Sequence, residues 1–265
     1  MRLAVASLLL VSSLSACSLQ LEPTPEPYPA PASPGPAPAP PNTPTLASPQ
    51  PAPAPTDDGV LAEVVYVSMR DTLNQRWFCT GTLVSKSTVV TAAHCLDTSR
   101  FVSYEIVAPL AAGAPKVSAS QPKVFGGPFD DVANPDVGIL TLDKPIVLPR
   151  YAELTDVVAR IDAGEALTVA AVIRTAERPD APLHVSPQMP LSSTVEYGYE
   201  HGFGTPMFSK GGDSGAGLFL VENGKPTHKL VGVARQPEPA RDLDHFTRVD
   251  APFMAWFAEN TSRRP

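Results

Sequence analysis

The sequence has no excess of positive charge and no hydrophobic run long enough to form a permanent membrane span. Its 265 residues include 20 Lys and Arg against 27 Asp and Glu, which gives a formal net charge of -7. This balance offers no overall electrostatic support for nucleic-acid binding, so we expect no nucleic acid as a partner. The apolar stretch at residues 3–14 is too short to cross a bilayer as a stable helix.

The sequence also lacks the patterns that are typical of metal sites and of disulfide-rich proteins. The histidines outside the motifs described below show no spacing typical of metal ligation, and they are His184, His201, His228 and His245. We therefore expect no metal and no other cofactor. There are three cysteines, and an odd number in an exported chain implies one thiol with a separate fate.

Residues 1–16 are typical of a secretory signal peptide, with a basic start, an apolar stretch and small residues at the end. The ending Leu14-Ser15-Ala16-Cys17 resembles a bacterial lipobox, in which the cysteine becomes the lipidated first residue of the mature protein. This resemblance predicts lipidation of Cys17 and would explain the odd cysteine. The alternative is an ordinary signal peptide cut near Ala16, which would leave Cys17 as a free thiol. Ser18, rather than Asp, follows the cysteine, and by the family rule this favours the outer membrane of the cell envelope.

Residues 17–56 are predicted to be a disordered tether. Fifteen of the 32 prolines lie at residues 22–55, among Ala, Thr and Ser and with few large apolar side chains. Such a segment cannot bury enough apolar surface to fold, and its prolines favour an extended polyproline conformation. A recognition tract for proline-binding modules is the alternative, but a spacer that holds a folded domain away from a membrane suits an exported chain better.

Residues 57–265 are predicted to form an all-β domain, because many short apolar or β-branched runs alternate with turn residues. The predicted strands are residues 60–68, 77–84, 89–95, 102–107, 123–125, 137–142, 167–173, 215–221, 229–234 and 246–249. A helix is predicted at residues 250–260, with Asp250 as its N-cap, Pro252 in its first turn and an apolar stripe that docks on the sheet. Residues 155–166 remain ambiguous.

One stretch, Lys210-Gly211-Gly212-Asp213-Ser214-Gly215-Ala216-Gly217, contains four glycines around a single Asp and a single Ser. Glycines permit unusual backbone angles, so such a turn can direct N–H groups at one point beside an exposed hydroxyl. These groups could stabilise an oxyanion next to a nucleophile. Taken alone, the stretch could also be an ordinary glycine turn with a surface serine.

Two further motifs precede this turn and complete a His, Asp, Ser order along the chain. They are Thr91-Ala92-Ala93-His94-Cys95 and Asp136-Val137-Gly138-Ile139-Leu140. With the segment at residues 78–84 and the closing run Phe246-Thr247-Arg248-Val249, the sequence resembles the chymotrypsin/trypsin family of serine peptidases from about Val60 to its end. Asp130 and Asp131 are rival acids, but neither precedes an apolar strand, so Asp136 is preferred.

The resemblance implies two packed antiparallel six-stranded β-barrels, at about residues 57–155 and 156–249, followed by a C-terminal helix at about residues 250–260. It implies that Ser214 attacks the substrate, that His94 is the base and that Asp136 orients the imidazole. The N–H groups of Gly212 and Ser214 would form an oxyanion hole. A protein or peptide substrate is implied as well, and we expect a monomer.

The resemblance further implies a disulfide between Cys79 and Cys95, beside the histidine. An oxidising envelope compartment permits such a bond. Two buried free thiols are the alternative.

The substrate pocket departs from the family pattern. The family's pocket-base position falls on Phe208, and the walls fall on Arg235, Gln236, Pro237 and Asp244. A bulky Phe208 predicts a shallow or altered pocket, whereas Asp244 could instead attract a basic side chain. Pro237 has no N–H to offer a substrate backbone. Arg235 replaces a serine that supports the catalytic Asp in the family, which puts the surroundings of that Asp in question.

The start of the domain departs from the family as well. The family's new amino terminus, released by cleavage, pairs with the Asp before the nucleophile, which is Asp213 here. No Ile-Val-Gly-Gly start is present, and Asp58-Gly59-Val60-Leu61 is the nearest match. We therefore expect Asp213 to have another partner, such as a Lys, an Arg or backbone donors. Two functions follow from the sequence, a membrane-tethered serine endopeptidase and, alternatively, a catalytically weak or inactive peptidase-like binding module.

Overall fold

The structure is a computed structural model that describes residues 60–262, except for the side chain of Leu61. The predicted signal peptide, the proline-rich tether and Cys17 lie outside the described residues, so these assignments remain predictions. The division of the chain at residues 16/17 and 56/57 remains a prediction for the same reason.

Six antiparallel strands close into a barrel in the order β1-β2-β3-β6-β5-β4. The strands are β1 (Val64–Asp71), β2 (Arg76–Ser85), β3 (Thr88–Thr91), β4 (Phe101–Val107), β5 (Lys116–Phe125) and β6 (Val137–Leu142). On β1 the alternate residues Val65, Val67 and Met69 are fully buried inside the barrel, as expected when successive side chains of a strand point to opposite faces. This part confirms the expected first barrel.

The second half of the described chain is a nine-stranded sheet whose main path runs β10-β8-β13-β14-β15-β12-β11. The strands are β7 (Glu153–Leu154), β8 (Thr168–Arg174), β9 (Leu183–Val185), β10 (Met189–Pro190), β11 (Ser192–Ser193), β12 (Gly202–Pro206), β13 (Gly217–Glu222), β14 (Lys225–Glu238) and β15 (Leu243–Arg248). The all-β expectation is confirmed, but this sheet exceeds six strands because loops add short pairs. The hydrophobic pattern predicted none of β7 and β9–β12.

The barrel and the second sheet share a hydrophobic cluster. Val64 and Val90 from the barrel pack there with Phe219 and Leu230 from the second sheet. All four side chains are essentially inaccessible to solvent. Burial of such side chains contributes roughly 1.5–3 kcal/mol each, so this cluster helps to hold the two halves together.

Two α-helices are present among the described residues, α1 (Val158–Asp162) and α2 (Ala251–Thr261). The predicted N-cap of α2 is confirmed, because the Asp250 carboxylate accepts a hydrogen bond from the backbone N–H of Phe253 at 3.0 Å. Phe253 is fully buried and meets the ring of Phe125 edge to face, with centroids 5.5 Å apart. Neither helix is long and apolar enough to cross a membrane.

Candidate active site

His94 lies in a short 3-10 turn, Ala93–Leu96, directly after β3. The preceding small residues Ala92 and Ala93 are fully buried, so the turn packs closely against the barrel. Cys95 in the same turn forms a disulfide with Cys79 of β2, which confirms the pairing that the family resemblance implied. The two sulfurs also lie near His94, but they are bonded to each other and are not available to a metal.

Asp136 holds His94 through both of its carboxylate oxygens. Oδ2 lies 2.7 Å from the imidazole Nδ1, and Oδ1 accepts the backbone N–H of His94 at 2.9 Å. A carboxylate only accepts, so it selects the tautomer with the proton on Nδ1 and leaves Nε2 as an acceptor. Asp136 is almost fully buried at the start of β6, and its own N–H donates to the Thr247 hydroxyl at 3.0 Å.

The turn that carries Ser214 requires glycine at two positions. Gly212 and Gly215 have φ angles of 93° and 83°, in the left-handed region that L side chains rarely adopt. A Cβ on Gly212 would overlap the ring of Phe78, and a Cβ on Gly215 would overlap the backbone of Thr80. The turn therefore lies directly against strand β2 of the barrel.

Thr80 joins this turn to the barrel by two hydrogen bonds. Its N–H donates to the Ser214 carbonyl at 2.8 Å, and its hydroxyl donates to the Gly212 carbonyl at 2.8 Å. A Cβ added to Gly215 would also lie 3.0 Å from the backbone nitrogen of Ala92, two residues before His94. The structure thus brings together the turn that carries Ser214 (residues 210–217, the serine turn) and the turn that carries His94 (Ala93–Leu96, the histidine turn).

The N–H groups of Gly212 and Ser214 donate to no acceptor among residues 60–262, whereas the intervening Asp213 N–H donates to the Lys210 carbonyl at 3.0 Å. These two N–H groups have no acceptor and lie on either side of Asp213, whose N–H is hydrogen-bonded, so they are available to an incoming oxyanion. Ser214 is half-buried. Within the described part of the chain, its hydroxyl and the His94 ring are not joined by a hydrogen bond; in enzymes without substrate such bonds are often long.

Asp213 is fully buried and has partners on both carboxylate oxygens. Oδ1 accepts the backbone N–H of Arg174 at 2.9 Å, and Oδ2 accepts the N–H of Lys210 at 3.1 Å. The Lys210 ammonium lies 3.6 Å from Oδ2. Burial raises the pKa of Asp213, and the bond from Arg174 and the charge of Lys210 oppose that rise. These contacts supply the lysine and backbone donors that the sequence suggested.

Arg174 is a site residue that sequence reasoning missed. Its side chain is fully buried at the end of β8, and its guanidinium donates to the carbonyls of Gly212 at 3.2 Å, Pro179 at 2.6 Å and Cys79 at 2.5 Å. Burial lowers the pKa of Arg174 to about 10. The only sequence signal was an arginine directly after the apolar run of residues 167–173.

Asp244 is buried on β15 and binds the segment before the serine turn. Its Oδ2 accepts the N–H groups of Phe208 and Ser209, both at 2.7 Å, and its Oδ1 accepts the Ser209 hydroxyl at 2.5 Å. The expectation that Asp244 could attract a basic substrate side chain gains no support, because both oxygens already serve the neighbouring backbone and hydroxyl. The Phe208 ring stacks on Phe246 with centroids 6.2 Å apart.

Arg235 fixes the loop before Asp136. Its guanidinium donates to the carbonyls of Phe129, Asp131 and Asn134 at 2.9, 3.1 and 2.7 Å. It thus supports the segment that leads to Asp136 through the backbone, without a hydrogen bond to the carboxylate. The rival acids Asp130 and Asp131 lie in that loop, and neither hydrogen-bonds His94 in the described structure.

The remaining wall residues Gln236 and Pro237 are exposed on β14. The Gln236 amide donates to the Tyr199 hydroxyl at 3.1 Å. The ring of Tyr199 stacks on His245 at 3.8 Å between centroids, and burial lowers the pKa of His245 to about 4. The His245 ring is buried, and its Nε2 lies 2.6 Å from a carboxylate oxygen of Glu238.

Comparison with known proteins agrees with the observed fold. Residues 59–187 match the family model described as Trypsin. HL collagenase has a TM-score of 0.59 at 18% identity over 77% of this chain and 95% of its own. The protease Anisep from Arthrobacter nicotinovorans has a TM-score of 0.57 at 13% identity over 76% of this chain and 96% of its own.

A third similar structure is the scabies mite inactivated protease paralogue S-I1, with a TM-score of 0.58 at 21% identity over 77% of this chain and 96% of its own. At these identities the solved structures show the fold alone, and the family match adds the sequence relationship. Residues 59–187 are therefore similar to the chymotrypsin/trypsin-like serine protease family, and the described chain shares the fold of that family. Peptides are the substrate class that this family implies.

Proposed function

We propose that the chain is a serine endopeptidase that cleaves peptide bonds through an acyl-enzyme intermediate. Ser214 attacks the carbonyl carbon of the substrate, and Nε2 of His94 takes the hydroxyl proton. His94 then returns this proton to the leaving amine, and a water molecule releases the acyl group in the second half of the reaction. Asp136 stabilises the imidazolium that forms in each half.

The observation that carries this proposal is the pair of contacts between Asp136 and His94. One carboxylate oxygen lies 2.7 Å from Nδ1 and the other accepts the backbone N–H at 2.9 Å, next to a turn with two N–H groups that have no acceptor among residues 60–262. The carboxylate fixes the ring orientation and tautomer that a general base requires. The N–H groups of Gly212 and Ser214 are free to donate to the tetrahedral oxyanion, and each such donor contributes roughly 3 kcal/mol to transition-state stabilisation.

Cleavage of a mixed library of internally quenched peptides tests this function, with Ser214→Ala as the matched control. We expect the wild-type chain to cleave some members and Ser214→Ala to lose at least about 10³-fold in rate. Asp136→Asn should lose on the order of 10⁴-fold, because its amide favours the wrong tautomer of His94. Equal rates for wild type and Ser214→Ala would contradict the proposal.

A peptidase-like binding module is the second candidate. One observation favours it: Pro237, which has no N–H to donate, lies in the wall that would pair with the substrate backbone. One protein of similar structure is itself an inactivated protease paralogue. A fluorophosphonate probe separates the candidates, because a correctly folded chain that takes up no probe would favour the binding module.

The proposed peptidase is exported and held on the bacterial outer membrane through a lipid on Cys17, with the proline-rich segment as spacer. The support is the lipobox-like sequence at residues 14–17, after an apolar stretch. Growth with labelled palmitate should label the wild-type chain and leave Cys17→Ser unlabelled. Labelling of neither chain would contradict the tether and would leave the peptidase proposal unaffected.

A further inference from the structure

Arg174 is a buried cation that binds backbone carbonyls instead of a carboxylate side chain. In the described residues no carboxylate oxygen lies within ion-pair distance of its guanidinium, although the side chain is fully buried. A buried charge is costly unless hydrogen bonds satisfy it. Here the donors reach three separate segments, at Cys79 on β2, at Pro179 in the loop after β8 and at Gly212 in the serine turn.

Two aromatic rings flank the same guanidinium. Its central carbon lies 4.3 Å from the ring centroid of Tyr66 and 5.3 Å from that of Phe78. These cation–π contacts add to the stabilisation of the charge by the backbone carbonyls. The Phe78 ring is also the group that a side chain at position 212 would overlap. Arg174, Phe78 and Gly212 thus form one packed unit.

Arg174 holds the serine turn at two consecutive residues. Its Nε donates to the Gly212 carbonyl, and its backbone N–H donates to the Asp213 carboxylate. Lys210 grips the same carboxylate from within the turn, through its N–H at 3.1 Å and its ammonium at 3.6 Å. The Asp213 N–H donates to the Lys210 carbonyl and completes the turn.

Once these bonds are made, the N–H groups of Gly212 and Ser214 still have no acceptor among residues 60–262. The neighbouring N–H of Gly211 is taken by the Glu177 carboxylate at 3.1 Å, so the network occupies the donors on either side of Gly212. A turn that is bonded at every donor except the two needed for an oxyanion is preorganised for that ligand.

We propose that Arg174 and Lys210 are positioning residues that set the oxyanion turn in its reactive form within the uncleaved chain. This inference rests on the proposed peptidase function. In the family that the sequence resembles, the amino terminus released by cleavage pairs with the Asp before the nucleophile. Here Arg174 and Lys210 would be the partners of that Asp, Asp213, without cleavage. Cleavage between residues 57 and 60 is then not required for reactivity of Ser214.

The test uses the full chain and three variants, Lys210→Met, Arg174→Lys and the control Lys225→Met, which replaces an exposed lysine in the β13–β14 hairpin. The first readout is the rate of labelling by a fluorophosphonate. We expect at least about a tenfold loss for Lys210→Met and for Arg174→Lys, and no change for Lys225→Met. Wild-type rates in both turn variants would overturn the inference.

The pH profile of labelling is a readout that a merely structural role would not move. Lys210 and Arg174 are the charged groups that act on Asp213. Loss of the Lys210 ammonium raises the pKa of Asp213 further, so the acid limb of the Lys210→Met profile should move to higher pH. An unmoved limb would count against the role of the ammonium.

Hydrogen exchange separates this inference from the proposed function. It is measured by mass spectrometry in the Ser214→Ala background, where no catalysis is needed. Faster exchange in residues 208–216 of Lys210→Met, with the melting temperature retained, would support the turn-holding role even for an inactive chain. Unchanged exchange would overturn it, and Arg174→Lys serves the same purpose if one variant fails to fold.

N-terminal sequencing of the labelled wild-type protein tests independence from cleavage. A labelled chain that still contains residues 57–60 supports it. A labelled population that begins only at Val60 would overturn it.

Discussion

Two buried aspartates hold the two ends of the segment 208–213, and they do so with different partners. Asp244 binds the first end through the N–H groups of Phe208 and Ser209 and the Ser209 hydroxyl. Asp213 binds the second end through the N–H groups of Arg174 and Lys210, with the Lys210 ammonium close by. Only the second aspartate has a cation within ion-pair distance in the described structure.

The different partners of the two aspartates indicate different roles for the two ends of residues 208–213. Asp244 makes only hydrogen bonds with two adjacent residues, so it fixes the local shape of the substrate side. Asp213 links the serine turn to β8 and, through Arg174, to β2 of the barrel. A change at Asp213 should therefore reach the nucleophile, whereas a change at Asp244 should reach mainly the substrate.

The largest effect is expected from Asp213→Asn. An amide turns a donor toward one of the two backbone N–H groups and leaves that buried N–H without an acceptor, which costs about 3 kcal/mol of unfolding free energy. We expect at least about a hundredfold fall in fluorophosphonate labelling as the oxyanion donors shift. Urea unfolding and labelling rates measure the two effects. Labelling of Asp213→Asn near the wild-type rate would contradict the different roles assigned to Asp213 and Asp244.

A smaller effect is expected from Asp244→Asn. One oxygen remains to accept, but the amide nitrogen then faces a donor, which costs about 2 kcal/mol of unfolding free energy. Labelling by a small probe should fall less than for Asp213→Asn, while peptide cleavage should fall more than labelling does. The ratio of kcat/KM for peptides to the labelling rate gives the measurement. An equal fall in both quantities would argue against a substrate-side role.

The smallest effect is the pH dependence of stability from Asp213. Burial raises the pKa of Asp213 in the folded state above its value in the unfolded chain. The corresponding stability is fully present below the unfolded pKa and is lost as pH rises through the folded pKa. Relative to Asp213→Asn, the wild-type chain should lose unfolding free energy as pH rises from about 4. Parallel stability curves for the two proteins would contradict this.

The Asp250 cap of α2 and the all-β pattern were predictable because local sequence determines them, and both are confirmed. The Cys79–Cys95 disulfide and the contact between His94 and Asp136 were expected from the family resemblance, and the structure contains both. The short strands β7 and β9–β11 were not predictable, since two or three residues carry no periodic pattern. Their pairing depends on the longer strands beside them.

The long-range partners of the site could not be read from the sequence. Arg174 ends an apolar strand, and the pattern does not show whether a terminal side chain turns inward or to solvent. Asp244 looked available to substrate because its three donors, from Phe208 and Ser209, lie 35 residues or more away along the chain. Only the folded arrangement of β15 against the serine turn reveals them.

The most direct measurement of the central claim is the location of the covalent adduct formed with a fluorophosphonate. The full chain is labelled, digested and sequenced by mass spectrometry. We expect the adduct on Ser214, with labelling lost in Ser214→Ala and strongly reduced in His94→Ala. An adduct on another residue, or equal labelling of the Ser214→Ala chain, would contradict the assignment of Ser214 as the nucleophile.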